Sequence, residues 1–300
     1  MIAVLGSSGY VGSKLVKTLQ EKGIDYCTYS VRYPFKDQDI RHFFLSRKVN
    51  VIINCQGYTG KPNVDECEKE DKKVTSLFAN SLLPYSLAEF CNKYKIRLIH
   101  ISSGCIYTDS NCDNAKHPIK EFNESDLPNF TWDQGNCSWY SGTKALGEKL
   151  LSNDYTSTIV RLRIPFNGDI NPRNYIQKII SYPKLLNATN SFSYLDEFID
   201  ALILLSEEDR YYPGVLNLTQ PGYLTTHSIV NMLKDYGLVQ DKEWFESIEE
   251  FNQTIIAPRS NCVLDSSAAI RYGIKLTPIE DAMREAISKY LYNKENGKRY

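Results

Sequence analysis

The chain has 300 residues, 42% of them hydrophobic and 12% aromatic, enough to bury a substantial core in one large or two closely fused domains. Lys and Arg number 35 against 36 Asp and Glu, a formal net charge of −1, so no overall field draws the chain to nucleic acid or to an anionic membrane. Any anionic ligand must be held by local groups.

The N-terminal MIAVLGSSGY lacks a basic leader and reaches a glycine turn after a short apolar run, which predicts neither a signal peptide nor a membrane span. Ile2 to Leu5 reads as a strand, and Val11, Leu15, Val16 and Leu19 then recur at helical spacing until Gly23. Further strand-like runs lie at Tyr26 to Ser30, Val51 to Asn54, Arg97 to Ser102 and Thr158 to Leu162. Helical stretches around 37 to 47, 65 to 93 and 139 to 152 separate them. This alternation predicts an α/β fold, a Rossmann-type doubly wound parallel sheet over residues 1–165, with return strands allowed from later segments. After Pro165 the rhythm changes to helical Asn174 to Ser181 and Tyr194 to Ser206, a Val215 to Leu218 strand, an aromatic-rich stretch and a helix from Pro278. Residues 166–300 are therefore expected to be mainly a smaller substrate-binding part. The eight cysteines form no C-x-x-C pair and the four histidines are scattered, so no metal site and no disulfide framework is expected, as befits a cytoplasmic protein.

Gly6-Ser-Ser8-Gly9-Tyr10-Val11-Gly12 ends the first strand and opens the first helix, where glycines let the backbone approach a dinucleotide's pyrophosphate and the helix N-terminus receives the anion. The spacing is G-x-x-G-x-x-G, a variant associated with extended short-chain reductases. An NAD site would place Asp or Glu after the second strand. Ser30-Val31-Arg32 stands there instead, and a guanidinium at Arg32 suits the 2′-phosphate of NADPH, with NADH the alternative if Arg32 is only a solvated loop residue.

Ser102 and Ser103 close the Arg97 to Ser102 strand, while Tyr140 and Lys144 stand four apart on a helix and face one way. Ketone reduction needs a proton donor at oxygen beside the hydride donor at carbon; an unassisted phenol is a sluggish acid, and an adjacent ammonium strengthens it. The spacing Y-x-x-x-K also occurs at Tyr10/Lys14 and Tyr290/Lys294, so placement between the serine-bearing strand and the next strand singles out Tyr140. The bland alternative makes both residues ordinary surface side chains.

The segments GYTGKPNVDECE (57–68), SSGCIY (102–107), LPNFT (127–131), YSGTKALGEKLL (140–151), RLRIP (161–165), NPRNYIQKI (171–179) and APRSN (257–261) resemble the dTDP-4-dehydrorhamnose reductase family. Within it they resemble the bifunctional 3,5-epimerase/4-reductases of plant UDP-rhamnose synthesis, over almost the whole chain. The resemblance implies that Ser103 orients the substrate carbonyl, Tyr140 protonates the 4-oxygen, and Lys144 assists Tyr140 and holds the nicotinamide ribose while NADPH reduces C4. It further implies that Cys105 and Lys178 act as acid and base at C3 and C5, against the plain alternatives of a small core thiol and an exposed helix charge. Asn54, Gln56, Gly57, Tyr58 and Asn80 match cofactor-side positions; Asn171, Arg173, Asn174 and Arg259 match substrate-side ones. The implied substrate is a UDP- or dTDP-linked 4-keto-6-deoxyhexose, and the implied assembly a homodimer. The Thr108 to Asn136 stretch is longer and more polar than its plant counterpart, which leaves open an N-acetylated sugar. A non-catalytic NADP-binding regulatory subunit and a redox-neutral epimerase or dehydratase are the readings of other classes.

Overall fold

Near-continuous apolar runs build the central sheet of the computed structural model, which describes residues 1–32, 36–154 and 156–297. Strands β1 (Ile2–Leu5), β2 (Tyr26–Tyr29), β3 (Val51–Asn54), β4 (Arg97–Ser103), β5 (Thr158–Leu162) and β6 (Gly214–Asn217) lie in the order β6-β5-β4-β3-β1-β2. β1 and β3 are buried along their whole length, as expected of parallel strands covered on both faces, and β2, at one edge, is mostly half-buried. β1 pairs in parallel with both β2 and β3, so strand order reverses between β1 and β3, and the carboxyl ends there form the crevice in which doubly wound folds bind ligands.

The chain divides into two compact units made of interleaved segments. The first comprises Met1–Ile106, Phe130–Arg161 and Ile199–Leu216. Its core includes Leu5, Phe44, Ile52, Leu87, Phe90 and Leu98. Helix α1 (Tyr10–Glu21) buries Gly12, Leu15 and Leu19, leaves Val11 and Val16 half-buried, and stops where Gly23 turns at φ +65°. The helix expected over 65 to 93 is broken into a 3₁₀ turn (Val64–Glu68), α2 (Glu70–Leu77), a π-helical turn (Phe78–Leu82) and α3 (Leu83–Tyr94). Pro84 has no N–H to offer the carbonyl four residues back, at Asn80, and the ladder widens there. The Asn80 carbonyl faces Gly147 of helix α4 (Trp139–Leu151), where a Cβ would come within 2.3 Å of it.

The strand expected at Val215 to Leu218 is Gly214–Asn217 and belongs to the central sheet: Gly214 donates to the Ser157 carbonyl at 2.9 Å. The Leu195–Ser206 helix that leads to it passes into the first unit at Ile199, and Tyr107–Asn129 falls in the second unit. These two exchanges replace a single division at residue 165. The second unit comprises Tyr107–Asn129, Leu162–Phe198 and Asn217–Tyr300, of which residues 298–300 lie outside the described residues. Its core packs Ile176 and Ile179 of Tyr175–Ser181, Ile229 and Leu233 of Thr226–Asp235, and Met283, Ala286 and Ile287 of Ile279–Glu295. Short two-stranded pairings stitch it, among them Pro165–Phe166 with Ser193–Tyr194 and Glu121–Phe122 with Val263–Leu264, both parallel.

Candidate active site

The glycine turn sits at the carboxyl end of β1. Gly6 takes φ +73°, and a Cβ on it would lie 2.7 Å from the Gln56 nitrogen, so the turn packs directly on the end of β3. A Cβ on Gly12 would lie 2.2 Å from the Gly6 carbonyl oxygen, which closes the turn onto α1. The N-cap of α1 is Gly9, with no side-chain cap and no acidic residue in the first turn. Ser8 and Gly9 are exposed, Tyr10 and Val11 half-buried. A positive helix end without a side-chain cap fits a diphosphate.

Gln56 holds the next part of the cradle in place. Its Nε2 donates to the Val31 carbonyl at 2.6 Å and its Oε1 accepts from the Val31 N–H at 3.2 Å, so exposed Arg32 leaves β2 at a fixed point. Asn54 is fully buried, with Oδ1 accepting from the Gln56 N–H at 3.0 Å and Nδ2 donating to His100 Nδ1 at 3.1 Å. That donation assigns the His100 proton to Nε2, and burial together with the Lys144 ammonium keeps the ring neutral by pushing its pKa well below the ordinary value. Gly57 is exposed, and a Cβ on it would lie 3.1 Å from Asn80 Oδ1 and 3.4 Å from Lys144 Nζ.

Asn80, expected beside the cofactor, is fully buried and has its amide engaged within the unit. It accepts from the Tyr58 N–H and donates to the Tyr58 carbonyl, both at 2.9 Å, and donates to Thr143 Oγ1 at 3.0 Å. It thereby ties the loop after β3 to the helix that carries Tyr140. Tyr58 in turn donates its hydroxyl to Glu66 at 2.7 Å, and burial first, then that contact, push the phenol's pKa up.

The chemically useful side chains stand at the end of β4 and on α4. Ser103 is buried, and its Oγ accepts the Cys105 N–H at 3.2 Å, which leaves the hydroxyl proton for an acceptor elsewhere. Ser138 caps α4 by accepting the Ser141 N–H at 3.1 Å, and Glu68 accepts the Trp139 N–H at 2.7 Å, fixing the turn from which Tyr140 projects. Tyr140 and Lys144 are 8% and 5% exposed, which discards the surface alternative. Lys144 Nζ donates to the Ile101 carbonyl at 3.2 Å. Burial depresses the Lys144 pKa from 10.5 to about 8, against the pull of Glu148 and Cys105 toward the charged form.

In the second unit, Arg173, Lys178 and Arg259 are all half-buried. Burial first, then the Arg173 and Arg259 charges, lower the Lys178 pKa, so this amine gives up its proton more readily than an ordinary lysine. Asn171 accepts the Arg173 N–H at 2.9 Å, and Arg259 donates to the Ala257 carbonyl at 2.6 Å. Asn174, expected at the substrate, is fully buried and caps Tyr175–Ser181, accepting the Ile176 N–H and donating to the Asn167 and Asp169 carbonyls. Its observed work is to shape the turn before Lys178. Cys105 and Lys178 belong to different units.

Trp132 carries no functional signature in the sequence. Its indole covers Gly142, where a Cβ would lie 2.0 Å from Nε1, and the only hint is a glycine two residues after Tyr140. His100 likewise lies in a strand whose sequence gives no sign of its buried partner.

Residues 1–188 match the family model described as RmlD substrate binding domain. The chain is 36% identical over 269 residues to a bifunctional dTDP-4-dehydrorhamnose 3,5-epimerase/dTDP-4-dehydrorhamnose reductase of Arabidopsis thaliana, covering 88% of this chain and 84% of that one. It is 33% identical over 297 residues to a trifunctional UDP-glucose 4,6-dehydratase/UDP-4-keto-6-deoxy-D-glucose 3,5-epimerase/UDP-4-keto-L-rhamnose-reductase of the same plant, covering 96% of this chain but 41% of that longer protein. The crystal structure of the L780 UDP-rhamnose synthase from Acanthamoeba polyphaga mimivirus superposes with a TM-score of 0.86 at 27% identity, covering 96% of this chain and 98% of that one.

Proposed function

The chain belongs to the RmlD substrate binding domain family, and from that premise we propose that it is an NADPH-dependent reductase of the C4 ketone in a nucleotide-linked 4-keto-6-deoxyhexose, acting after it inverts C3 and C5. The observation that carries the reading is the buried Tyr140–Lys144 pair on α4, in the same unit as Ser103 at the end of β4 and the uncapped glycine turn at the end of β1.

NADPH, when bound, supplies the hydride. The Gly6 to Gly12 turn and the α1 N-terminus receive its diphosphate, and the Arg32 guanidinium pairs with the 2′-phosphate. Gln56, Asn54 and Asn80 act from behind, holding Val31, the end of β3 and Tyr58 in register. Ser103 donates its hydroxyl to the sugar's C4 oxygen. Tyr140 passes its phenolic proton to that oxygen as the carbonyl carbon becomes tetrahedral, and the Lys144 ammonium stabilises the phenolate left behind. For the preceding inversions, protons α to the ketone are acidic, so one group removes a proton from one face and another returns it to the opposite face. Lys178, held toward its neutral form, is the base, and the Cys105 thiol the acid. Arg173 and Arg259 bind the anionic diphosphate of the substrate.

Incubation of UDP- and dTDP-4-keto-6-deoxyglucose with NADPH in deuterated water tests both halves. Deuterium at C3 and C5 of a reduced 6-deoxysugar is the expected result. An N-acetylated analogue in parallel reports the substituent at C2. Absence of NADPH consumption with every one of these sugars would leave the regulatory-subunit reading in its place. The reading includes a cytoplasmic homodimer, supported by the absence of disulfides and of membrane-spanning helices among the described residues and by exposed Val74, Leu82 and Tyr85; light scattering measures the assembly.

A further inference from the structure

One buried charged group in the first unit takes no part in the chemistry above. Glu148 stands one helical turn beyond Lys144, which is itself one turn beyond Tyr140, so the three share a face of α4. Its carboxylate accepts from Arg161 of β5, with Nη2 2.7 Å from Oε2 and Nε 3.1 Å from both oxygens. It also accepts the hydroxyl of Ser102, the residue that precedes Ser103 on β4. Glu148, Arg161 and Ser102 are all buried. One carboxylate therefore joins the helix bearing the proton donors to two strands, at the point where β4 delivers Ser103. A buried ion pair adds little net stability over an apolar pair of the same size. A fixed charge beside a second buried ionisable group, in contrast, acts strongly on that group because little water screens it.

We propose that Glu148 is a positioning residue for the reduction, fixing Ser103 through Ser102 and holding the Lys144 ammonium by its charge, with Arg161 setting how much of that charge Lys144 feels. The inference rests on the reading of Tyr140 and Lys144 as the proton-donating pair. The charged and titratable groups around Lys144 are Glu148 and Tyr140 on its own helix, Cys105 after β4, and His100 on β4, which is neutral. Glu148 and Cys105 favour the charged lysine, and burial opposes them. Glu68 and Lys73, on the 3₁₀ turn and α2 packed against α4, are engaged with Trp139. Arg161 neutralises Glu148 from the side of β5.

The test uses Glu148→Gln, Arg161→Met and the double variant Glu148→Met/Arg161→Met, each with two readouts. In cofactor-free protein labelled with [6-¹³C]lysine, the Lys144 resonance, identified by its loss in Lys144→Met, is titrated. With NADPH and the keto sugar, kcat is followed against pH. Glu148→Gln is expected to lower the Lys144 midpoint and the alkaline limb of kcat together by about one pH unit, a tenfold drop in the charged-to-neutral ratio at a given pH. Arg161→Met is expected to move both upward, because the carboxylate then acts on Lys144 unopposed. The double variant removes both charges at once and is expected to recover the parent's unfolding midpoint while kcat stays about tenfold low. It carries the test if Glu148→Gln does not fold. Superimposed Lys144 titrations in Glu148→Gln and the parent, downward shifts in both single variants, or full kcat in the double variant would overturn the inference. Tyr140→Phe is the control for the reading beneath it: parent-like turnover there sinks the proton-donor assignment, whereas a dead Tyr140→Phe with unmoved titrations sinks the Glu148 role alone.

Discussion

Replacing Lys144 by Met removes a buried charge from the first unit while keeping most of the side chain's length. The depression of the Lys144 pKa from 10.5 to about 8 measures how much the folded protein disfavours the ammonium. At about 1.4 kcal/mol per pH unit, that is about 3 kcal/mol of folding free energy lost at pH 7. Met does not carry this cost, but it forfeits the hydrogen bond to the Ile101 carbonyl, worth about 1 kcal/mol. Lys144→Met is therefore expected to be about 2 kcal/mol more stable than the parent at pH 7 and inactive. The sign with pH follows from linkage. Between pH 8 and 10.5 the unfolded chain keeps a proton that the folded protein has released, so the parent gains stability as pH rises and the difference closes. Near pH 10 the two proteins should unfold together. Urea denaturation followed by tryptophan fluorescence suits the measurement, because Trp132 and Trp139 lie in the same unit as Lys144. A variant less stable than the parent at pH 7, or a gain that does not change between pH 7 and 10, would refute the electrostatic account.

Arg32→Ala is expected to raise the dissociation constant for NADPH on the order of 10- to 100-fold, the worth of a charge-assisted pair, and to leave NADH binding unchanged; equal losses for both cofactors would place Arg32 elsewhere. Cys105→Ala should reduce a sugar already inverted at C3 and C5 at the parent rate yet fail on the uninverted one, and equal slowing of both would make Cys105 a packing residue. Gly142→Ala drives a methyl against the Trp132 indole and should cost about 1–3 kcal/mol of stability, with Trp132→Ala in the same chain restoring much of it. A neutral Gly142→Ala by urea midpoint would show that the indole moves aside without cost.

The strands IAVL and VIIN and the glycine turn after the first could be read directly, because an apolar run, a break and a helical spacing are local properties of the chain. The tyrosine–lysine spacing was equally legible, but three pairs share it, and only the folded protein separates them. Tyr10 opens the helix after the glycine turn, Tyr290 donates to Gln177 in the second unit's core, and Tyr140 is buried one turn from a buried lysine. The same limit holds along one helix: Lys144 and Lys149 look alike as residues, yet Lys149 is exposed and pairs with Asp133 while Lys144 is shut away from water. Its shifted acidity comes from desolvation by segments distant in sequence. Likewise the return of Gly214–Asn217 to β5 and the clamp of Gln56 on Val31 join residues tens of positions apart, where periodicity carries no signal. Amino-acid order alone determined which side chains were available for proton transfer and anion binding. Their burial, charge balance and mutual bracing were decided by tertiary packing, because the dielectric surroundings of a group depend on everything folded around it.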